Sequence, residues 1–149
     1  GKSPDIVVGT ATLGIPVAIE VSRHLGLDQY VIMQKSPKIH LGNALVQQVK
    51  SVTSSAPQRL LLDRRAIPLL AGRRVVVVDD VVATGSSLAA TLKLARQAGA
   101  EIVGIGVILT EARDWRDVLG ADADLVIGLG HIPQFKIENG HATPDPKTY

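Results

Sequence analysis

The chain has no cysteine, one methionine and only four aromatic residues among its 149, and each scarcity removes a class of chemistry. Without cysteine there is no disulfide framework, no thiolate zinc site and no catalytic thiol. His24, His40, His131 and His141 are too scattered for a metal-ligand cluster. Tyr30, Trp115, Phe135 and Tyr149 supply few stacking platforms for single-stranded nucleic acid, which argues against nucleic acid as the partner. No apolar run approaches the roughly 20 residues of a membrane span, and no basic-then-apolar leader opens the chain, which also starts without Met. The expectation is a soluble, cytoplasmic protein with no membrane association. Its length and 46% hydrophobic content suit a single domain, 1–149, around one core.

Acidic charge is nearly absent from one long stretch. Residues 29–78 carry Lys35, Lys38, Lys50, Arg59, Arg64, Arg65, Arg73 and Arg74 against Asp63 alone, a local charge of +7 inside a chain whose net charge is +2. Such a segment calls for an anion, and with few aromatics a small polyanion fits better than a nucleic acid.

The hydrophobic pattern alternates short apolar runs with amphipathic stretches. Residues 5–9 (DIVVG) read as a strand, 15–25 as a helix ended by Gly26, and 30–33 as a second strand. The stretch 34–57 loses periodicity and reads as a mobile loop or hairpin arm, with 45–52 able to pair with 59–62. Residues 74–79 (RVVVVD) read as the central strand of a parallel sheet, buried on both faces. A helix over 86–98 follows, with Leu88, Leu92 and Ala95 on one stripe, then a strand over 102–109, a short helix over 113–119 and a last strand over 125–129. The alternation predicts an α/β fold with a mainly parallel central sheet flanked by helices, and a tail over 130–149 running across the surface.

The informative segment is 75–87, VVVVDDVVATGSS. Asp79 and Asp80 fall at the C-terminal end of the central strand, where open α/β sheets bind ligands. Thr84, Gly85, Ser86 and Ser87 then open a helix with three hydroxyls and a run of unsatisfied backbone N–H groups, a cradle for phosphate. An isolated Thr-Gly-Ser-Ser is as readily a helix cap. Behind four valines and two aspartates, it reads as part of a site for a sugar phosphate, with carboxylates for hydroxyls and a cradle for the phosphate.

This segment resembles the phosphoribosyl-pyrophosphate (PRPP) motif of type I phosphoribosyltransferases. The likeness continues through 7–18 (VVGTATLGIPVA), similar to that family's first strand and pyrophosphate loop, and 33–38 (MQKSPK), similar to the start of its mobile catalytic loop. The wording DDVVATGSS and the Lys35/Lys38 spacing are nearest to adenine phosphoribosyltransferases. The resemblance implies transfer of 5-phosphoribose from PRPP to a nucleobase, of the purine, adenine type, with release of pyrophosphate. It assigns Asp79 and Asp80 to the ribose hydroxyls, and Ala83, Thr84, Gly85, Ser86 and Ser87 to the 5′-phosphate. The loop Thr10, Ala11, Thr12, Leu13 and Gly14 is assigned to pyrophosphate, with Lys35 and Lys38 neutralising it from a mobile loop at about 35–57. It further implies Mg²⁺ carried with PRPP on ligand oxygens and water rather than in a protein metal cage. A homodimer and a small hood over 130–149 complete what it implies.

The sequence departs from the adenine pattern at Leu13 and Gln34, where that subgroup carries Arg, and around Ser54, where it carries a Glu that protonates the base. No acid occurs between Asp28 and Asp63. A PRPP-binding regulatory domain without turnover is therefore the alternative. Phe135 and Trp115 read as packing residues before base-stacking ones, and His131, expected just past the last strand, as a surface residue. Arg64, Arg65, Arg73 and Arg74 read as solvated or interfacial.

Overall fold

The computed structural model describes residues 3–37, 39–41, 43–49 and 58–149. In chain order the elements are β1 (Ile6–Thr10), α1 (Gly14–His24), β2 (Tyr30–Met33), β3 (Leu45–Val49), β4 (Gln58–Leu62), α2 (Ile67–Leu70) and β5 (Arg74–Val82). They continue with α3 (Ser86–Gln97), β6 (Glu101–Glu111), α4 (Trp115–Leu119), β7 (Val126–Ile132), β8 (Phe135–Glu138) and β9 (His141–Pro144).

Five strands form one parallel sheet in the order β2-β1-β5-β6-β7. Side chains alternate across its faces. Ile6, Val8, Val75 and Val77 enter one core with Leu88, Leu92 and Leu94 of α3, whereas Val7 and Val78 pack with Ala18 of α1 on the other face. The valine run of β5 is thus buried on both sides, and each such side chain contributes about 1.5–3 kcal/mol of burial. Gly9 lets α1 lie close on β1, since a Cβ there would come to 2.9 Å from both Ala18 Cβ and the Gly14 carbonyl.

β1 leads to β2 on one side, while β5 feeds β6 and β7 on the other, so strand order reverses between β1 and β5. That reversal opens a crevice beyond the C-terminal ends of those two strands. The antiparallel hairpin β3–β4 is present, and an isolated bridge from Gln34 to Leu61 ties it to the end of β2.

Three expectations need correction. β5 does not stop at Asp79 but runs on to Val82, because Asp79, Val81 and Val82 pair with Val107, Leu109 and Thr110 of β6. β7 extends to Ile132, which puts His131 inside the strand, its Nδ1 2.8 Å from Thr110 Oγ1 and its ring against Tyr149. The tail folds into the exposed hairpin β8–β9, where Phe135 is half exposed and joins no core. Arg74, with its side chain 40% exposed, is paired: its guanidinium and backbone N–H both donate to Asp5, holding that carboxyl far below its usual range. Trp115 is buried, as expected of a packing residue.

Candidate active site

Three chain segments meet at the crevice. At the end of β5, the Asp80 backbone N–H donates to Asp79 Oδ1 at 3.0 Å. Burial pushes the Asp79 carboxyl up from 3.8 to about 6; the Asp80 N–H opposes that rise, the Asp80 carboxyl adds to it, and the charge of Lys35 lowers it. Asp79 is thus held short of full ionisation at mildly acid pH, which fits a group built to face polar hydroxyls rather than open water.

The second segment leaves β1. Thr10 and Ala11 are buried, the Ala11–Thr12 peptide is cis, and Leu13 is 64% exposed at the loop tip. The loop is pinned at its root by Ala11 N–H to the Met33 carbonyl at 2.9 Å and by Ile15 N–H to the Thr12 carbonyl at 3.2 Å. Gly14 opens α1 one residue earlier than its apolar pattern indicates, and a Cβ there would stand 3.0 Å from Asp79 Oδ1. The β1 loop and the β5 carboxylate are therefore in direct apposition.

The third segment is the start of α3. Gly85 holds the left-handed conformation (φ 82°) that turns the chain into the helix, and the backbone and Cβ of Trp115 close in behind it. Thr84 Oγ1 accepts from the Ser86 N–H at 3.3 Å, a local turn just ahead of the twelve-residue helix α3. Ser87 Oγ is buried with no hydrogen-bond partner. A cleft of about 180 Å³ is lined by Asp79, Ala83, Thr84, Gly85 and Ser87 with neighbouring apolar groups.

Most of the expected site residues therefore gather at one place. Lys35 is exposed at the end of β2 and close enough for its charge to act on Asp79. Lys38 and Ser54 lie outside the described residues. A larger hollow of about 410 Å³ runs along α3 beside Lys93, Arg96 and Leu119, but Arg96 is already engaged bidentately by Asp122 at 2.6 and 2.7 Å. The smaller cleft, which joins a carboxylate to a helix N-terminus, has the chemistry of a site.

One buried polar residue of this region escaped sequence reading. Thr91 on α3 donates to the Ser87 carbonyl at 2.9 Å and lies 3.2 Å from Thr10 Oγ1 on β1. Its signal was present, as a hydroxyl among Leu88, Leu92 and Ala95 on a helix face that should be apolar.

Among the described residues no three His, Asp or Glu side chains gather as a metal cage. Asp79 and Asp80 carry hard oxygen donors, of the kind that would suit Mg²⁺.

The family model described as "Phosphoribosyl transferase domain" matches residues 1–127. The chain is 28% identical over 133 residues to a xanthine phosphoribosyltransferase of Geobacillus thermodenitrificans, covering 88% of this chain and 67% of that one. It is 34% identical over 110 residues to an orotate phosphoribosyltransferase of Listeria innocua, covering 74% and 43%. The crystal structure of an adenine phosphoribosyltransferase from Thermoanaerobacter pseudethanolicus superposes with a TM-score of 0.78 at 24% identity, covering 89% of this chain and 73% of that one. The chain thus spans about two fifths to two thirds of the length of these two curated relatives. With the family model matching most of the sequence, the chain belongs to the phosphoribosyl transferase domain family, and the solved structure shares its fold.

Proposed function

We propose that this chain catalyses transfer of 5-phosphoribose from PRPP to a nucleobase, with release of pyrophosphate. The observation that carries the reading is the apposition of Gly14 to Asp79, which joins the β1 loop to the β5 carboxylates at the point of strand-order reversal. In the reaction a ring nitrogen of the base attacks ribose C1, the C1–oxygen bond breaks, and pyrophosphate departs with the bonding pair while the base loses a proton. Positive charge grows on the ribose and negative charge on the leaving group.

Each segment has a task in that scheme. Asp79 and Asp80 accept hydrogen bonds from the ribose 2′ and 3′ hydroxyls and fix the sugar. Backbone N–H groups and hydroxyls over Ala83, Thr84, Gly85, Ser86 and Ser87 hold the 5′-phosphate against the positive end of the α3 dipole. The loop Thr10, Ala11, Thr12, Leu13 and Gly14 receives pyrophosphate through its backbone, and Lys35 and Lys38 neutralise the charge that builds there. Mg²⁺ bound with PRPP supplies further charge neutralisation on the phosphates.

The base is read as a purine, of the adenine type, on the wording of DDVVATGSS and the Lys35/Lys38 spacing. A homodimer acting in the cytoplasm completes the reading; no helix among the described residues is long and apolar enough to cross a membrane. The test is to incubate the protein with PRPP and Mg²⁺ and, separately, adenine, guanine, hypoxanthine, xanthine, uracil and orotate. Adenine nucleotide and pyrophosphate are expected. Turnover of another base alone overturns the adenine assignment; PRPP binding without turnover of any base makes the chain a regulatory PRPP binder.

A further inference from the structure

Thr10 is the last residue of β1, where the loop assigned to pyrophosphate begins; Thr91 lies on the inner face of α3, one turn below the cradle assigned to the 5′-phosphate. Both side chains are buried, at 2% and 1% exposure, so neither hydroxyl has water to fall back on. A helical threonine commonly satisfies itself on the carbonyl four residues back, as Thr91 does on Ser87 at 2.9 Å. That habit accounts for Thr91 but not for Thr10.

A hydroxyl has one proton, and Thr91's is committed to the Ser87 carbonyl, which can only accept. In the 3.2 Å contact between the two threonines, Thr10 is therefore the donor and Thr91 Oγ1 the acceptor. The result is a directional chain from the end of β1, through Thr91, to the first turn of α3. It bridges 81 residues of sequence and joins the two elements that would grip opposite ends of PRPP. Ser87, whose carbonyl ends this chain, carries the buried hydroxyl without a partner beside the cleft.

We propose that Thr91 is a positioning residue that fixes the separation between the 5′-phosphate cradle and the pyrophosphate loop, so that one ligand can engage both. It touches no substrate. It acts through the Ser87 carbonyl on one side and the Thr10 hydroxyl on the other. A ligand that spans both sites depends on their spacing, whereas one that occupies a single site does not. This inference rests on the proposed PRPP reaction.

The test is Thr91→Val, which keeps the volume and β-branch and removes the hydroxyl. Affinity for PRPP with Mg²⁺, for ribose 5-phosphate and for pyrophosphate is measured by calorimetry on wild type and variant. PRPP affinity is expected to fall about tenfold, because the variant removes both hydrogen bonds that tie the end of β1 to the first turn of α3 and leaves the buried Thr10 hydroxyl without its acceptor. Affinities for ribose 5-phosphate and for pyrophosphate should each change by less than about twofold. Thr91→Ser should restore PRPP binding. Unchanged PRPP affinity in Thr91→Val overturns the proposal, as does an equal loss for ribose 5-phosphate, which would place the effect on the cradle alone. If Thr91→Val does not fold, Thr91→Ala removes the same hydroxyl from a helix position that alanine favours and carries the same expectations. Failure of the wild-type protein to bind PRPP refutes the reaction itself and this inference with it, a result visible before any variant is compared.

Discussion

Replacing Asp79 by Asn should make the unliganded protein more stable while destroying its ligand site. Burial holds the Asp79 carboxyl at about 6 against an ordinary 3.8. Each pH unit between those values corresponds to about 1.4 kcal/mol, which sets a ceiling of roughly 3 kcal/mol for ionising this group in the folded state. Asp79 remains partly open to water, so about 1–2 kcal/mol is the working figure. The sign follows from the proton balance. Below about pH 4 both folded and unfolded chains hold the proton; between about 4 and 6 only the folded chain does. Wild-type stability contributed by Asp79 therefore falls as pH rises through that window and levels off above it. Asparagine has no proton to lose, and its Oδ1 can still accept from the Asp80 N–H. At pH 8 Asp79→Asn should melt about 2–8 °C above wild type in differential scanning calorimetry, at about 2–4 °C per kcal/mol for a chain of this size. At pH 4 the gap should close. PRPP should stabilise wild type and leave the variant unmoved. A variant less stable than wild type at pH 8, or a gap independent of pH, would refute the argument that Asp79 is a desolvated carboxylate kept for a ligand.

Gly85→Ala should cost about 1–3 kcal/mol and weaken PRPP binding, because φ is 82° and the new Cβ would stand 3.1 Å from the Cα, Cβ and carbonyl of Trp115. A wild-type urea midpoint would contradict it. Arg96→Ala removes an ion pair to Asp122 far from the cleft, so turnover should be unchanged and stability should drop by less than about 1 kcal/mol. Because Arg96 lowers the Asp122 pKa, that small loss should be present at neutral pH and vanish as Asp122 is protonated in acid. Lys35→Ala should raise KM for PRPP at least severalfold and move the Asp79 titration, followed by NMR, to higher pH, since Lys35 favours the ionised carboxylate.

The parts of the fold that showed in sequence are those with local causes. Four consecutive valines identify β5 as the sheet's centre, and Gly85 followed by two serines marks the start of α3. The continuation of β5 to Val82 was not legible, because it depends on pairing with β6, a partner about 30 residues away. The same holds for His131, which β6 draws into β7 by pairing with Thr110. The hairpin β8–β9 has a local cause as well: Asn139 and Gly140, at φ 52° and 78°, form the two-residue turn that such a dipeptide favours. In the site, residue types were visible and mutual distances were not. Sequence places Asp79 and the β1 loop in separate segments, and only the parallel pairing of β1 with β5 brings Gly14 onto Asp79. The Thr10–Thr91 contact likewise requires α3 to lie across the end of β1.

The most direct measurement is a crystal structure of the protein grown with PRPP and Mg²⁺. The 5′-phosphate is expected over the N–H groups that open α3, the ribose 2′ and 3′ hydroxyls on Asp79 and Asp80, and pyrophosphate against the loop from Thr10 to Gly14. PRPP bound with its ends reversed, or lodged in the hollow beside Lys93 and Arg96, would contradict that placement.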